Sequence, residues 1–185
     1  PITPALPSQQ HDAIAMLPYG RATKSLLQFS SRFWRTPSQP SAFGSALTFG
    51  AVWDANEEQR GKPAILSLMA GGSASDATIE LVGREGAAGL ARQLEWLGSH
   101  RAQLLAAHHV SWEADPWARG GYAFFGANFP AHLRRWLALP CDRLFFAGEH
   151  TSQRWQGYMN GAVESGRRAA AEVAATHALT GGPVR

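Results

Sequence analysis

The segment FFAGEHTSQRWQGYMNGAVESGRRAAAEV, residues 145–173, constrains the fold more than any other part of the chain. It begins as a short apolar strand, continues as a polar loop rich in glycine and aromatic residues, and ends as an alanine-rich helix. A strand that ends in Gly148 and a helix that opens with Gly157 direct free backbone N–H groups and the positive end of the helix dipole toward the loop. Such a place suits an anionic or electron-rich ligand, although the two glycines alone equally fit ordinary turns.

Apolar runs bounded by turn residues predict six short strands in all, and the last of them opens the segment described above. They cover residues 26–34, 47–53, 64–70, 108–112, 122–125 and 144–147. The spacing of Leu90, Leu94 and Leu97 predicts a helix over 87–97, and the last helix is expected from Tyr158 to about His177. Together these elements predict a mixed α/β (α+β) fold.

The last helix shows a periodic stripe of small and apolar residues, which we expect to face the core. The stripe consists of Met159, Ala162, Val163, Gly166, Ala170, Val173 and Ala174. Glu164, Arg168 and Glu172 are expected on the solvent side, as weak exposed pairs.

Composition excludes several classes of protein. The chain has 185 residues, 45% of them hydrophobic, and no apolar run near the ~18 residues of a membrane span. The net charge of +3 comes from scattered arginines, which argues against nucleic acid. His108 and His109 are adjacent on a strand and point to opposite faces, so we expect no metal site. A soluble protein is expected, with the cytoplasm favoured.

The string AGEHTSQRWQGYMNGAVESGRRAA closely resembles the C-terminal FAD-binding segment of the flavin-dependent amine oxidases, the monoamine oxidase and L-amino-acid oxidase superfamily. The resemblance extends upstream. PALPSQQHDAIAMLPYGRATKSLLQFSSRFW resembles the stretch in which the family places a lysine before a Phe-Trp pair, and WEADPWARGGY resembles its substrate-side strand and turn. Nearly the whole chain is covered.

The resemblance implies roles in cofactor binding. Glu149, after Gly148, would accept a hydrogen bond from a ribityl or ribose hydroxyl of FAD. Gly157, Tyr158 and Met159 would present backbone N–H groups to the N1 and C2 carbonyl edge of the flavin, where reduction places negative charge.

It also implies roles in catalysis. Lys24 matches the lysine that holds a water at flavin N5, Tyr122 and Tyr158 match the aromatic residues that flank the substrate amine, and Trp112 matches a tryptophan near the isoalloxazine. The implied reaction is hydride transfer from a C–N carbon of an amine or L-amino acid to FAD, with O2 as acceptor and hydrogen peroxide and an imine as products.

Two departures from the family pattern lead to further expectations. Gly121 stands where some monoamine oxidases have the cysteine of a Gly-Gly-Cys-Tyr sequence, so FAD should be noncovalent. No G-x-G-x-x-G occurs, so half of the FAD site should lie in an N-terminal portion of the same enzyme, and the chain alone should be inactive. Residue 1 is Pro, which also suggests processing or truncation. We expect residues 1–140 to supply part of the substrate domain and 141–185 to complete a Rossmann-like FAD-binding domain.

Two alternatives remain open on the sequence. One is another flavoenzyme of the superfamily, such as a desaturase or a protoporphyrinogen oxidase, which would act on a large apolar substrate. The other is a noncatalytic subunit of a flavoprotein. The choice between amine and amino acid also stays open.

Overall fold

The computed structural model describes residues 5–36 and 41–180. The chain forms two compact units: a sheet unit, Gly20–Gly121, and a helical unit made of Pro1–Tyr19 and Tyr122–Arg185. Helix and sheet are both substantial, which confirms the mixed fold class. None of the helices in the described ranges is both long and apolar enough to cross a bilayer.

The sheet unit is built on an antiparallel sheet with the strand order β2-β3-β4-β1-β5. Its strands are β1 (Ala22–Phe29), β2 (Ala42–Gly44), β3 (Ala51–Asp54), β4 (Ala64–Gly71) and β5 (Leu104–Ser111). Strand β1 pairs with both β4 and β5, so its residues lie at the middle of the long strands. Four of the six predicted runs, 26–34, 47–53, 64–70 and 108–112, overlap β1, β3, β4 and β5.

The core of the sheet unit lies between the sheet and helix α2 (Ser73–Arg92). Alternate residues of β1 and β4 are buried there with leucines of α2, as the two-residue period of a strand requires. The cluster includes Leu27, Phe29, Leu66, Leu68, Leu81 and Leu90. The predicted helix over 87–97 captures only the end of α2, which is kinked at Gly86 (φ 63°) and continues after Arg92 into a 3-10 turn at Glu95–Leu97.

The chain leaves β1 through an aromatic corner, which is why the predicted strand 26–34 stops at Phe29. Phe29, Phe33 and Trp34 contact one another edge to face. The indole N–H of the buried Trp34 donates to Asp54 Oδ2 at 3.2 Å, and Arg32 Nε lies 2.8 Å from the same oxygen. A buried carboxylate paired in this way is costly to remove, so the corner fixes the end of the strand.

The helical unit contains α1 (Ser8–Met16), a 3-10 helix at Ala131–Leu137 and α3 (Met159–Thr180). Its small core joins Ala13 of α1 to Leu133 and Leu137. The buried Gln10 side chain donates to the carbonyls of Trp136 and Leu139 at 3.0 and 2.7 Å, which ties α1 to the 3-10 helix.

Two predicted strands are absent from the described residues of this unit. Residues 122–125 and 144–147 form only the isolated bridges Tyr19↔Ala123 and Cys141↔Leu144. Strand hydrogen bonds need a neighbouring strand, and the described part of this unit supplies none beside these segments.

The predicted orientation of α3 is wrong. Ala162, Val163, Gly166 and Ala170 are exposed, and Met159 is 86% exposed. The described buried or half-buried positions of α3 are Gly161, Ser165, Arg168, Ala169, Glu172, Val173 and Thr176. Val173 is thus the one member of the predicted apolar stripe that is half-buried. Ser165 and Arg168 face inward, because their side chains bind backbone groups of the unit, whereas Glu164 is exposed as predicted.

Candidate cofactor site

The predicted cofactor site lies in the loop that follows residues 144–147. The loop begins with a sharp turn at Gly148, where φ is 142°. The Gly148 N–H donates to Ser165 Oγ on α3 at 2.9 Å. The ring of His150 folds back over this corner and would overlap a Cβ at position 148. Glycine is therefore needed here for both its backbone conformation and its lack of a side chain.

The Glu149 carboxylate is the centre of the site. It lies on a short 3-10 turn, Glu149–Thr151, and is half-buried. Oε1 accepts the Ala123 N–H at 2.8 Å, and Oε2 accepts the Gly157 N–H at 2.6 Å. A carboxylate has about four acceptor positions, so this one can still accept a hydroxyl from a ligand.

The N-terminus of α3 has free backbone N–H groups, but only one of the three predicted N–H donors is among them. The N–H of Gly157 binds Glu149, and that of Tyr158 donates to the Trp155 carbonyl at 3.1 Å, so neither is free for a ligand. The N–H groups of Met159 and Asn160 have no acceptor among the described residues. The amide of Met159 is therefore available for its predicted role, whereas those of Gly157 and Tyr158 are already bonded because the polar loop folds back onto them. Asn160, which the sequence did not suggest, has a free N–H beside Met159.

Gly161 allows that fold-back. A Cβ at this position would overlap the Trp155 carbonyl, so the loop can lie against the first turn of α3 only where a side chain is absent. At Gly166, by contrast, a Cβ would meet no described atom within 4 Å.

Arg168 holds the loop from the inner side of α3. Its guanidinium donates to the carbonyls of Ala138 and Phe146, at 2.8 and 2.9 Å, and to Thr151 Oγ1 at 2.9 Å. Sequence reasoning missed this role. The available signal was the i, i+4, i+7 spacing of Gly161, Ser165 and Arg168, which places them on one face of the helix.

A Tyr–His pair adjoins Glu149. The Tyr19 hydroxyl is 2.8 Å from His150 Nδ1 and the two rings meet edge to face. Burial lowers the pKa of His150, against the opposing effect of Glu149, and so favours the neutral ring. Burial, and secondarily the Glu149 charge, raises the pKa of Tyr19. Nothing in the sequence pattern pointed to Tyr19.

The remaining predicted residues are divided between the two units. In the sheet unit, Lys24 lies near the start of β1 and Trp112 follows the end of β5; because these strands are antiparallel, both lie at the same end of the pair. Lys24 Nζ is 5.2 Å from the ring centre of Trp53, a cation–π contact. In the helical unit, Tyr122 and Tyr158 are 43% and 68% exposed, and their backbones flank the amides that bind Glu149.

Known proteins resemble this chain in sequence. A family model described as flavin containing amine oxidoreductase matches residues 1–174. Polyamine oxidase 3 of Oryza sativa subsp. japonica is 34% identical over 171 residues, 91% of this chain and 35% of that protein. Flavin-containing amine oxidase A of Sus scrofa is 28% identical over 181 residues, 92% of this chain and 33% of that protein.

The fold is shared with a solved structure. Cyclohexylamine oxidase from Brevibacterium oxydans IH-35A superposes with a TM-score of 0.81 at 26% identity, over 94% of this chain and 39% of that one. The chain thus spans roughly a third of the length of the relatives it matches. It belongs to the flavin-containing amine oxidoreductases, the cofactor of which is FAD.

Proposed function

We propose that this chain is the C-terminal part of an FAD-dependent amine oxidase and supplies one side of its cofactor site. The observation that carries the proposal is the Glu149 carboxylate beside the free N–H groups of Met159 and Asn160 at the start of α3. A ligand that fits must bring hydroxyl groups and an electron-rich edge. The ribityl chain and the pyrimidine edge of FAD have both, so the donor set suits this cofactor.

The chemistry divides between the cofactor and the residues of the chain. Glu149 and the N–H groups of Met159 and Asn160 would hold FAD, which would supply two-electron oxidation chemistry: the amine would lose a hydride from carbon and a proton from nitrogen to become an imine, and O2 would be reduced to hydrogen peroxide. Lys24 would hold a water next to the reacting centre. Tyr122 and Tyr158 would flank the amine and orient its C–H bond, and Trp112 would lie near the ring system.

We infer that the substrate is an amine rather than an amino acid. The relatives that the chain matches carry names such as polyamine oxidase, amine oxidase A and cyclohexylamine oxidase. None of these names specifies a carboxylate on the substrate. An aromatic pair suits a neutral or cationic amine, because the ring faces attract positive charge.

We further propose that the partner of this chain is the N-terminal portion of the same enzyme, which would carry the dinucleotide-binding motif. The relatives are about three times as long as the chain, and two features of the helical unit suit a partner. Met159 and Val163 leave an apolar face of α3 exposed, and residues 144–147 have no strand beside them in the described ranges. On this proposal residues 141–185 complete the FAD domain and 1–140 belong to the substrate domain.

The cofactor is proposed to be noncovalent. Gly121, which takes the place of the attachment cysteine of some monoamine oxidases, lies against Ala22, and a Cβ at position 121 would overlap the Ala22 methyl group. The Gly121 N–H is also fixed, since it donates to the Gly20 carbonyl at 2.8 Å. This position therefore offers neither a thiol nor room for one.

The proposal is tested by hydrogen peroxide release from the complete enzyme with a panel of amines, L-amino acids and large apolar substrates. We expect turnover with amines, at rates well above those with amino acids. Peroxide release only with apolar substrates, or no turnover with a full complement of FAD, would instead support the desaturase-like or noncatalytic alternatives.

A further inference from the structure

We propose that Glu149 has a second role, as a positioning residue that sets the spacing of the aromatic pair Tyr122 and Tyr158. The inference rests on the proposed function for the purpose of the pair, but the contacts that carry it belong to the chain alone. It gives one carboxylate a place in both the cofactor site and the amine site.

The geometry follows from which amides Glu149 binds. Oε1 accepts from Ala123, the residue after Tyr122, and Oε2 accepts from Gly157, the residue before Tyr158. The two donors are 26 and 8 residues from Glu149 along the chain. The carboxylate therefore joins two segments that are distant in sequence, each next to one of the two tyrosines.

The residue type matters because both donors are N–H groups. An ionised carboxylate accepts at both oxygens, and hydrogen bonds to a charged acceptor are stronger than neutral ones. A glutamine of the same shape accepts at its oxygen only and would turn an NH2 group toward the other amide. Glu149→Gln thus removes one of the two links without changing the volume of the side chain.

The same two segments have a second link farther along. Arg134 binds the Gln156 side chain, and its guanidinium lies 4.5 Å from the ring centre of Phe125. The E149Q variant should therefore fold, with the segments still joined but the backbone next to the tyrosines released on one side. A hydroxyl of the bound cofactor would donate to the same Glu149 carboxylate that sets the distance between Tyr122 and Tyr158. Binding of the cofactor would therefore be coupled to the spacing of the two tyrosines.

The chain has three tyrosines, Tyr19, Tyr122 and Tyr158, which makes fluorotyrosine labelling selective. We would record 19F spectra of the flavin-free chain as wild type, E149Q and E164Q, with assignments from Tyr→Phe variants. The E164Q variant is the matched control, since it makes the same chemical change on the exposed side of α3 in the same unit. The resonances of both Tyr122 and Tyr158 should shift in E149Q, and neither should shift in E164Q.

Amide hydrogen exchange gives a second readout. In E149Q the exchange rate at Ala123 or Gly157 should rise about tenfold or more, because a charge-assisted hydrogen bond is lost. Unchanged tyrosine resonances would overturn the inference, as would unchanged exchange at both amides or a shift confined to one of the two tyrosines. If E149Q does not fold, wild-type scalar couplings through the hydrogen bonds, from both amide nitrogens to Glu149 Cδ, decide the question: both should be present, and the absence of either overturns the inference.

None of these measurements contains flavin. Failure of the complete enzyme to bind FAD would overturn the proposed function and leave the exchange and 19F results standing. Failure of the tyrosine resonances to respond would overturn the positioning role while leaving the cofactor proposal intact.

Discussion

At the scale of single residues, the sheet unit holds the ammonium of Lys24 against the indole of Trp53. Strand β1 places this side chain on the half-buried face of the sheet, opposite the face covered by α2. A lysine supported in this way can hold its charge at a defined place, as water positioning requires. The neighbouring residues of β1 thus decide where the charge lies, and Trp53 orients it.

Replacing Lys24 by methionine should slow amine turnover of the complete enzyme by roughly 10²-fold, the low end for loss of a group that assists proton transfer. Lys62→Met is the matched control, because Lys62 is exposed and far from β1 in sequence. Steady-state peroxide assays with equal flavin content compare the two. Equal rates for Lys24→Met and the wild type would remove Lys24 from the site and favour a noncatalytic subunit.

Gly121 supports a prediction about packing and cofactor attachment. Gly121→Ala should lower the free energy of unfolding by about 1–3 kcal/mol, since the new methyl group overlaps Ala22 and the backbone must shift. Gly126→Ala is the control, because its Cβ would meet the Phe124 ring at an ordinary 3.8 Å. Urea unfolding measures both. A Gly121→Ala variant as stable as Gly126→Ala would show that position 121 has room for a side chain.

At the scale of elements, α3 serves two purposes on its two sides. Its inward stripe is polar because Arg168 satisfies the carbonyls of Ala138 and Phe146, which no strand binds among the described residues. Its outward stripe is apolar and exposed. A helix whose apolar side faces away from its own unit is suited to contact with another part of a larger protein.

Arg168→Met should destabilise the helical unit by about 1.5–3 kcal/mol, as expected when hydrogen bonds from a charged donor are lost and carbonyls are left unpaired. Arg167→Met removes the same charge from the neighbouring exposed position and should change stability by less than about 0.5 kcal/mol. Thermal unfolding of the two variants provides the comparison. Similar melting temperatures would contradict the role given to Arg168.

The sequence predicted helices and strands well where their neighbours lie within the described chain, and poorly where they do not. Strand β4 and helix α3 match their predicted ranges closely, because apolar alternation and helical spacing are strong local signals. The strand expected at 144–147 is missing because pairing depends on a neighbour. The inward side of α3 was assigned wrongly, since hydrophobic periodicity assumes that the apolar stripe meets a core within the chain.

In the candidate site, too, local features could be predicted from sequence and long-range contacts could not. The turn residues Gly148, Glu149 and Gly157 could be recognised from sequence because the motif is local. The donors that Glu149 binds could not, since Ala123 contributes only its backbone and lies 26 residues away. The role of Trp53 depends on strand register, which a single sequence specifies only loosely.

At the scale of the whole molecule, two half-buried histidines make stability depend on pH. Burial lowers the pKa values of His109, in the sheet unit, and His150, in the helical unit, below the usual 6.5. For His109 the charge of Glu113 opposes this and that of His108 adds to it. The unfolded chain then binds more protons than the folded chain just below pH 6.5, so stability falls as the pH drops through that value and is fully present above it.

Urea unfolding at about pH 7.5, 6.5 and 5.5 should show that loss, in the window where histidines rather than carboxylates titrate. His109→Gln and His150→Gln should each flatten the profile. His132→Gln, at an exposed position, should leave it unchanged. A profile equally steep in all variants would mean that other groups are responsible.

We propose that Glu149 and the start of α3 form one side of an FAD site that another portion of the enzyme completes. This proposal is tested by the visible flavin absorbance of the purified chain, alone and after co-expression with the proposed N-terminal portion, which is expected to carry G-x-G-x-x-G. We expect the chain alone to be colourless, and the assembly to contain equimolar, acid-releasable FAD that amines bleach. A yellow chain that oxidises amines by itself, or an assembly that binds no FAD, would contradict a cofactor site divided between two portions of the enzyme.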